Sequence, residues 1–198
     1  MNCDEKFKSL IEKNNGIILT SEAESKNIPR QYLSNLVQKN KLERVAQGVY
    51  VTSDTLLDEM YCIQVRSDKL IFSHETALYM HELTDRDPFQ YTVTVPRGYA
   101  TNRLRDSGLS VVTVKKDLHL LGMKKMKTIH GREVQVYNID RTICDVIRSR
   151  NQMDKDMFCV TLKRYVKAKD KNFMRLMDYA QEFGAQKIVM QYIEGLLV

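Results

Sequence analysis

A group of polar side chains between positions 30 and 39 has the chemistry needed to read nucleic-acid bases. A guanidinium group can pair with two acceptors of guanine, and a side-chain amide can pair with adenine. Both pairings are made in the major groove of B-DNA, which admits an α-helix. The group consists of Arg30, Gln31, Ser34, Asn35, Gln38 and Lys39. If one helix presents them together, we expect its first half to meet bases and its later part to meet the DNA backbone.

The segment around this group has the spacing of an amphipathic helix. Pro29 favours the first turn of a helix, where its missing N–H group is not needed. Apolar side chains recur at helical spacing on the face opposite the polar group, which would make that face the buried one. These apolar residues are Tyr32, Leu33, Leu36 and Val37.

Residues that could contact phosphates follow this helix. Alternating polarity and Gly48 predict a β-hairpin formed by Leu42–Ala46 and Val49–Thr52. In a DNA-binding module such a hairpin would be a wing beside the reading helix, and phosphate contacts are expected from it and from the link before it. The residues concerned are Lys41, Arg44 and Gln47.

Two more helices are predicted before the polar group. Residues 4–14 place apolar side chains at helical spacing, and Ser21 with Glu24 fits a capping box at the start of the next helix. Three short helices followed by a hairpin form the pattern of a winged helix-turn-helix. The segment from Lys26 to Thr52 carries five basic residues against Glu43 alone, which favours DNA. A solvated face that binds another protein is the alternative.

The composition is that of a globular protein with a basic balance. The chain has 198 residues, 43% of them hydrophobic, and a formal net charge of +6. The polar break at 52–55 predicts residues 1–53 as a DNA-binding domain and 54–198 as a second domain. No apolar run approaches the roughly 20 residues that span a bilayer, and the cysteines form no C-x-x-C motif. We expect a cytoplasmic protein with no membrane segment, no metal site and no cofactor.

The second predicted domain is mixed α/β. The segments "QYTVTV" at 90–95 and "LSVVTVK" at 109–115 are strong strand candidates, and a hairpin is expected around His130-Gly131. From Ile139 onward the pattern is helical. Candidate helix starters there are Asp140, Asp154 and Asp170. The expected fold class is α/β (α+β): a winged helix-turn-helix, then a small sheet packed against helices, with a helical C-terminal section.

A second group of basic residues lies between positions 97 and 132. Nine cations stand there against Asp106 and Asp117. They could make additional phosphate contacts, or they could protect an exposed sheet edge from pairing with other strands. The cations are Arg97, Arg103, Arg105, Lys115, Lys116, Lys124, Lys125, Lys127 and Arg132.

No constellation in the sequence requires catalysis. His74 and His81 lie seven residues apart, whereas metal-binding pairs on helices usually lie four apart. Asp145 can form ion pairs with Arg141 or Arg148 on one helix. The sequence contains no nucleophile motif and no phosphate-binding glycine loop. We therefore predict no catalytic residue.

Three longer motifs carry a resemblance to a known family. They are "SHETALYMHELTD", "YTVTVPRGY" and "GREVQVYNIDRTICDVIRSR". Together with the N-terminal pattern, they make nearly the whole chain similar to the AbiEi-like antitoxins of abortive-infection type IV toxin–antitoxin systems. Each motif alone is weak, and the combination is more specific.

The resemblance implies a transcriptional autorepressor, with two protomers on inverted repeats in double-stranded DNA of its own promoter. It also implies a role in phage defence, with the second domain countering a nucleotidyltransferase-like toxin without a stable complex. By position, it assigns DNA reading to the helix face and wing contacts to Arg44 and Gln47. The motif residues of the second domain are Ser73, His74, Pro96, Arg97, Gly98, Arg141, Thr142 and Asp145.

Two other classes of function stay open on the sequence. One is an enzyme that modifies nucleotides or nucleic acid, with the winged helix as its targeting module. The other is an adaptor whose winged helix binds a protein. Cleavage or modification of nucleic acid by the purified protein would favour the first. Failure to bind any DNA, with recovery of a protein partner, would favour the second.

Overall fold

The computed structural model describes residues 2–197, which form two compact units. The first unit extends to Asp68 and includes Ile129–Gly131, and the second consists of Lys69–Thr128 and the chain from Arg132 onward. The predicted fold class is confirmed: the chain is mixed α/β, with a helix-turn-helix-like N-terminal region and a helical C-terminal section. None of the helices described within 2–197 is both long and apolar enough to cross a bilayer.

The first unit combines helices with a three-stranded antiparallel sheet. The helices are α1 (Cys3–Lys13), α2 (Thr20–Ser25), α3 (Arg30–Gln38) and α4 (Glu59–Gln64). The strands are β1 (Ile17–Leu19), β2 (Leu42–Ala46) and β3 (Val49–Thr52). Strand β3 is central, with β1 and β2 on either side. The predicted third helix and hairpin are therefore present.

Apolar side chains from every early element meet beneath α3. Leu33 on α3 is fully buried together with Leu10, Ile18 and Ile28, and Leu42 of β2 joins the same cluster. Burial of one apolar face against such a cluster is what holds a short helix in place, because an isolated helix of this length is marginal in water. The apolar spacing in the sequence thus correctly predicted the inner face of α3.

The predicted start of α2 is wrong. The helix begins at Thr20, its N-cap residue is Leu19, and within the described chain no side chain caps it. Ser21 is therefore already inside the helix, and Glu24 lies near its end rather than in a capping box. Pro29 is the N-cap of α3, one position before the first helical turn where it was expected.

Helix α4 belongs to the first unit. Its Cys62 is buried against Ile17, Val49 and Val51, which come from the outer strand β1 and the central strand β3. The predicted end of the DNA-binding domain, residue 53, lies one residue after the end of β3. The compact unit continues to Asp68 because α4 covers this face of the sheet. Residues 1–53 remain our proposal for the DNA-binding module itself.

The second unit is built on a five-stranded mixed sheet. Its strands are β4 (Ile71–Phe72), β5 (Thr92–Pro96), β6 (Ser110–Val114), β7 (Met123–Lys127) and β8 (Glu133–Tyr137). Their order is β6-β5-β4-β8-β7; β5 pairs parallel with β6, and β7 pairs antiparallel with β8. Both predicted strands and the predicted hairpin are present.

Helices complete the second unit. Three of them lie between strands: α5 (His74–Met80), α6 (Asn102–Asp106) and α7 (Lys116–His119). The C-terminal section comprises α8 (Ile139–Arg148), a 3-10 turn (Arg150–Gln152), α9 (Lys155–Lys167), α10 (Phe173–Glu182) and α11 (Gln186–Leu197). Helix α8 is buried along nearly its whole length, and α9, α10 and α11 pack around it to form the largest apolar cluster.

Two of the three predicted helix starters are wrong. Asp154 does cap α9 by accepting a hydrogen bond from the N–H group of Met157. Helix α8, however, is capped by Asn138, two residues before the predicted Asp140. Helix α10 is capped by Asn172, two residues after the predicted Asp170. An asparagine oxygen can accept the same N–H hydrogen bond as an aspartate oxygen, so the choice between neighbouring candidates was not determined locally.

Asp140 is instead a fully buried connector between helices. Its carboxylate accepts hydrogen bonds from the hydroxyl of Tyr165 (2.7 Å), the N–H group of Asn172 (2.9 Å) and Nε of Arg175 (2.6 Å). A buried carboxylate requires this degree of hydrogen bonding and a cationic partner. Asp140 therefore joins α8 to α9 and to the start of α10.

Candidate nucleic-acid interface

Every side chain predicted to contact DNA is exposed. On α3 the exposed face lies opposite Leu33, which is fully buried, and beside Leu36 and Val37, which are half-buried. The exposed residues are Arg30, Gln31, Ser34, Asn35, Gln38 and Lys39 on and after α3, and Lys41, Arg44 and Gln47 on the link and hairpin. The structure thus brings the predicted polar group onto one helix face, as the sequence spacing required.

The turn between α2 and α3 sets the direction of α3. Asn27 has a left-handed backbone (φ 57°), a conformation that asparagine tolerates better than most residues. The next residue, Ile28, is buried, and its N–H group bonds to the carbonyl of Ala23 at 2.9 Å. This turn fixes the start of α3 through main-chain and apolar contacts.

The first basic side chain of α3 has an acidic partner. The guanidinium group of Arg30 forms an ion pair with the carboxylate of Glu24 on α2, and the Arg30 side chain remains 73% exposed. The hydrogen bond from Arg30 lowers the pKa of Glu24, and the same bond raises the pKa of Arg30. Sequence reasoning missed Glu24 as a member of this site because its position matched a capping pattern.

The amides on α3 are held in a defined pair. Nε2 of Gln31 donates to Oδ1 of Asn35 at 3.1 Å, one helical turn later. This bond leaves the side-chain oxygen of Gln31 free to accept and the side-chain nitrogen of Asn35 free to donate. In the major groove adenine presents one donor and one acceptor, which these two groups complement. The hydroxyl of Ser34 donates to the carbonyl of Arg30 at 3.2 Å, so it lies against the helix backbone.

The link and hairpin place further polar groups after α3. The N–H group of Lys41 bonds to the carbonyl of Leu36 at 2.9 Å, which joins the link to the helix end. In the hairpin, the pairing of β2 with β3 shifts between Arg44 and Ala46, and Gly48 at the corner has a left-handed backbone (φ 76°). Such a shift disrupts the main-chain ladder locally, next to the hairpin tip that carries Gln47.

The second basic group is spread over the second unit. Lys124, Lys125 and Lys127 are exposed on β7, an outer strand of the sheet. Lys125 forms an ion pair with Glu133 on the neighbouring strand at 3.4 Å. The rest lie at other places: Arg97 follows β5, Arg103 and Arg105 lie on α6, and Lys115 and Lys116 follow β6. The group is therefore several small patches, and its phosphate contacts remain a prediction.

The histidines of the second unit have protein partners. A ring nitrogen of His74 lies 3.0 Å from the hydroxyl of Ser73, and Nε2 of His81 donates to the carbonyl of Tyr137 at 2.8 Å. Burial lowers the pKa of both imidazoles, so the neutral forms are favoured. Among residues 2–197, no three histidine, cysteine or acidic side chains are grouped closely enough to hold a metal ion.

The motif R-T-I-C-D forms a buried ionic network. Arg141 is only 1% exposed, and its Nε donates to Asp145 at 2.9 Å, while Nη1 donates to the carbonyls of Leu118 and Leu121. Asp145 also accepts from Arg148 at 2.8 Å, which confirms both predicted ion pairs. The sequence alone did not indicate that Arg141 would be buried. Its contacts hold protein elements together, which is a structural role.

The first unit and the exposed face of α3 together indicate a class of protein. A helix-turn-helix-like unit that exposes amides and cations on the helix after the turn, here α3, is typical of a transcriptional regulator. Residues 6–52 match the family described as "Transcriptional regulator, AbiEi antitoxin". The resemblance to AbiEi-like antitoxins is thereby confirmed for this segment, and the match supports a transcriptional antitoxin.

The whole fold has a structural relative. It is similar to the crystal structure of the RV2827C protein from Mycobacterium tuberculosis, with a TM-score of 0.69 at 10% sequence identity. The similarity covers 97% of this chain and 76% of that chain. At this identity it supports the fold alone. No curated protein matches the sequence.

Proposed function

We propose that this protein is the autorepressor and antitoxin of a type IV toxin–antitoxin system that protects cells from phage by abortive infection. It binds inverted repeats in its own promoter as two protomers and counters a nucleotidyltransferase-like toxin encoded beside it. The observation that carries the DNA-binding part is the exposed face of α3, which lies within the segment matched by the regulator family.

In this proposal α3 enters the major groove and the hairpin follows the phosphate backbone. Arg30 and Gln31 lie in the first turn of the helix and Asn35 lies just past its middle, on the same exposed face. Recognition helices contact bases chiefly through their N-terminal residues. Gln38 and Lys39 lie at its end, nearer the backbone. Lys41, Arg44 and Gln47 supply sequence-independent contacts from the link and wing. The basic residues of the second unit, including Arg103 and Lys116, would add weaker phosphate contacts.

The second unit acts as the antitoxin part without a catalytic step and without a stable toxin complex. Its most polar buried groups already have structural partners: Asp140 with Arg175, and Arg141 with Asp145. A catalytic group must be able to touch a substrate, whereas Asp140, Arg141 and Asp145 are enclosed. The protein acts in the cytoplasm, where promoter DNA and the toxin are both present.

Footprinting of the protein on its own promoter tests the DNA-binding part. Asn35→Ala should reduce discrimination against altered operators by about 1–3 kcal/mol, since it removes one amide contact to a base. Arg30→Ala should relax base preference in the same way. Asn151→Ala, an exposed asparagine of the second unit, is the matched control. If Arg30→Ala and Asn35→Ala protect the promoter with the parent's pattern, α3 is not the reading helix.

Co-expression with the neighbouring toxin separates the two functions. A variant with both Arg30→Ala and Asn35→Ala should lose promoter repression and still protect cells from the toxin, because its second unit is unchanged. Nuclease or nucleotide-modifying activity of the purified protein would instead favour the enzyme alternative. Failure of the parent protein to bind its promoter at any salt concentration would favour an adaptor.

A further inference from the structure

A cleft of about 280 Å³ opens on the second unit, and four parts of the chain line it. These parts are the start of α5, the segment 89–92 at the start of β5, strand β6, and the 3-10 turn after α8. One water molecule takes up roughly 30 Å³ in the liquid, so the cleft has room for about nine waters or for a ligand of similar size. A small molecule built on one ring system fits this space.

Four polar side chains of the lining have no partner within residues 2–197. They form no hydrogen bond and no ion pair there, so their donors and acceptors are available to a ligand. A cleft in which a few such groups converge is the usual form of a site for a small molecule. The four groups are the carboxylate of Glu75, the amides of Gln90 and Gln152, and the hydroxyl of Ser110.

His74 enters the lining with a strained backbone and a defined proton position. Its φ of 50° is left-handed, and strain of this kind in a residue other than glycine is concentrated at functional sites. The buried hydroxyl of Ser73 accepts a hydrogen bond from Thr94 at 2.8 Å and lies 3.0 Å from Nδ1 of His74. Because a buried hydroxyl must also place its own proton, Ser73 donates to Nδ1. The neutral imidazole therefore carries its proton on Nε2 and offers one N–H donor.

The charge of the lining excludes an anionic ligand. Burial lowers the pKa of His74, which leaves Glu75 as the one charged side chain of the lining. No lysine or arginine of the described chain lines the cleft, although the protein has a net charge of +6. A phosphate or carboxylate group would be repelled by Glu75 and would find no cationic partner. The ligand must donate to Glu75 and accept from His74 without carrying negative charge.

The apolar part of the lining suits a flat ring. The ring of Phe89 is fully exposed, so its faces are accessible for stacking, and Met153 adds a half-buried thioether. Heteroaromatic bases stack on such rings. An aliphatic amine would satisfy Glu75 but would leave the N–H group of His74 without an acceptor.

We propose that this cleft binds a free nucleobase, a neutral planar ring whose edge presents donors beside acceptors. Glu75 accepts from an amino group or ring N–H of the base, and Nε2 of His74 donates to a ring nitrogen or carbonyl. The ring stacks on Phe89, and the amides of Gln90 and Gln152 bond to the remaining edge. The site lies within the second unit and does not depend on DNA binding by α3.

NMR titration of the ¹⁵N-labelled full chain tests the site. Adenine and cytosine each place an amino group beside a ring acceptor. At least one of them should shift the amide signals of Glu75, Gln90 and Ser110 to saturation. Orotate, a pyrimidine with a carboxylate on its ring, should bind at least tenfold more weakly because Glu75 repels it. Putrescine, an aliphatic diamine, is the control for simple attraction of a cation and should also bind at least tenfold more weakly.

Two variants test the residues that select the ligand. Glu75→Gln should weaken the binding of the base about tenfold, because it replaces a charged acceptor. His74→Asn should do the same, since asparagine tolerates the left-handed backbone but lacks the Nε2 donor. Glu182→Gln, on the exposed face of α10, is the matched control and should bind as the parent does. The proposal is overturned if neither base shifts the cleft signals at its solubility limit, if Glu75→Gln binds as tightly as the parent, or if orotate or putrescine binds as tightly as the bases.

Discussion

The carboxylate of Glu24 on α2 engages the guanidinium group of Arg30, the first helical residue of α3. In the DNA-free protein, the side chain best suited to pair with guanine is therefore held by an acidic neighbour. Both groups are well exposed, so the pair is open to competition from another acceptor. To contact a base, the guanidinium group of Arg30 would have to break its ion pair with Glu24 and bond to the DNA instead.

Glu24→Gln should strengthen DNA binding a few-fold at low salt. The change removes a negative charge near the phosphates and releases Arg30 from its ion pair. Titration of a labelled promoter duplex by fluorescence anisotropy at several salt concentrations measures the effect. Glu12→Gln, at an exposed position of α1, makes the same change in net charge and should have a smaller effect. Equal effects of the two variants would mean that the Glu24–Arg30 pair does not limit binding.

Lys41→Ala should weaken binding to all DNA sequences alike. Lys41 lies on the exposed link after α3, where a phosphate contact is expected. Loss of one such contact should lower the slope of log K against log salt by about one. The measurement compares promoter DNA with an unrelated duplex for the variant and the parent. A change confined to the promoter would assign Lys41 to base reading instead.

Arg141→Met should destabilise the second unit by about 3–5 kcal/mol, because it leaves the buried carboxylate of Asp145 without its enclosed partner. It also removes a cation that lies 4.1 Å from the Tyr137 ring centre and 4.3 Å from that of Phe183. Urea unfolding followed by circular dichroism gives the free energy. Arg148→Met, which removes the more exposed partner of Asp145, should cost much less. Similar losses from the two variants would mean that Arg148 compensates the buried carboxylate of Asp145 as much as Arg141 does.

The stability of the second unit should fall as the pH drops below about 6.5, the ordinary pKa of histidine. Burial lowers the pKa of His74, His81 and His119 in the folded protein. The unfolded chain therefore takes up protons first, and stability present above that pH is lost as the pH falls toward the folded pKa. Urea unfolding at neutral and mildly acidic pH measures this loss.

His81→Gln is the matched test of the pH effect. A glutamine amide can still donate to the carbonyl of Tyr137 but does not titrate. The variant should therefore show a shallower decline of the free energy of unfolding between neutral and acidic pH. A decline as steep as the parent's would mean that His81 is not among the groups responsible.

Local patterns were sufficient where local forces decide the structure. The apolar face of α3, the hairpin at Gly48 and the strand "QYTVTV" follow from side-chain periodicity and turn chemistry, and all three are present. The exposed amides were predictable for the same reason, because burying Leu33 forces the opposite face outward.

Long-range partners were not predictable. Asp140 has the residue type of a helix cap, but Arg175 and Tyr165, far along the chain, enclose its carboxylate in the core. Glu24 has the type and spacing of a capping residue, but it pairs with Arg30 across a turn set by Asn27. In both cases the decisive neighbour is brought close only by the fold, and sequence spacing carries no signal for it.

The separation of the two faces of α3 has a consequence for how such regulators diversify. Leu33 anchors the helix, while Gln31, Ser34 and Asn35 contribute little to holding it in place. Substitutions at these outer positions can accumulate without weakening the domain. Under the proposed function, a duplicated gene could therefore acquire a new operator preference in a few mutational steps, and the regulators of related loci in one genome could become insulated from one another.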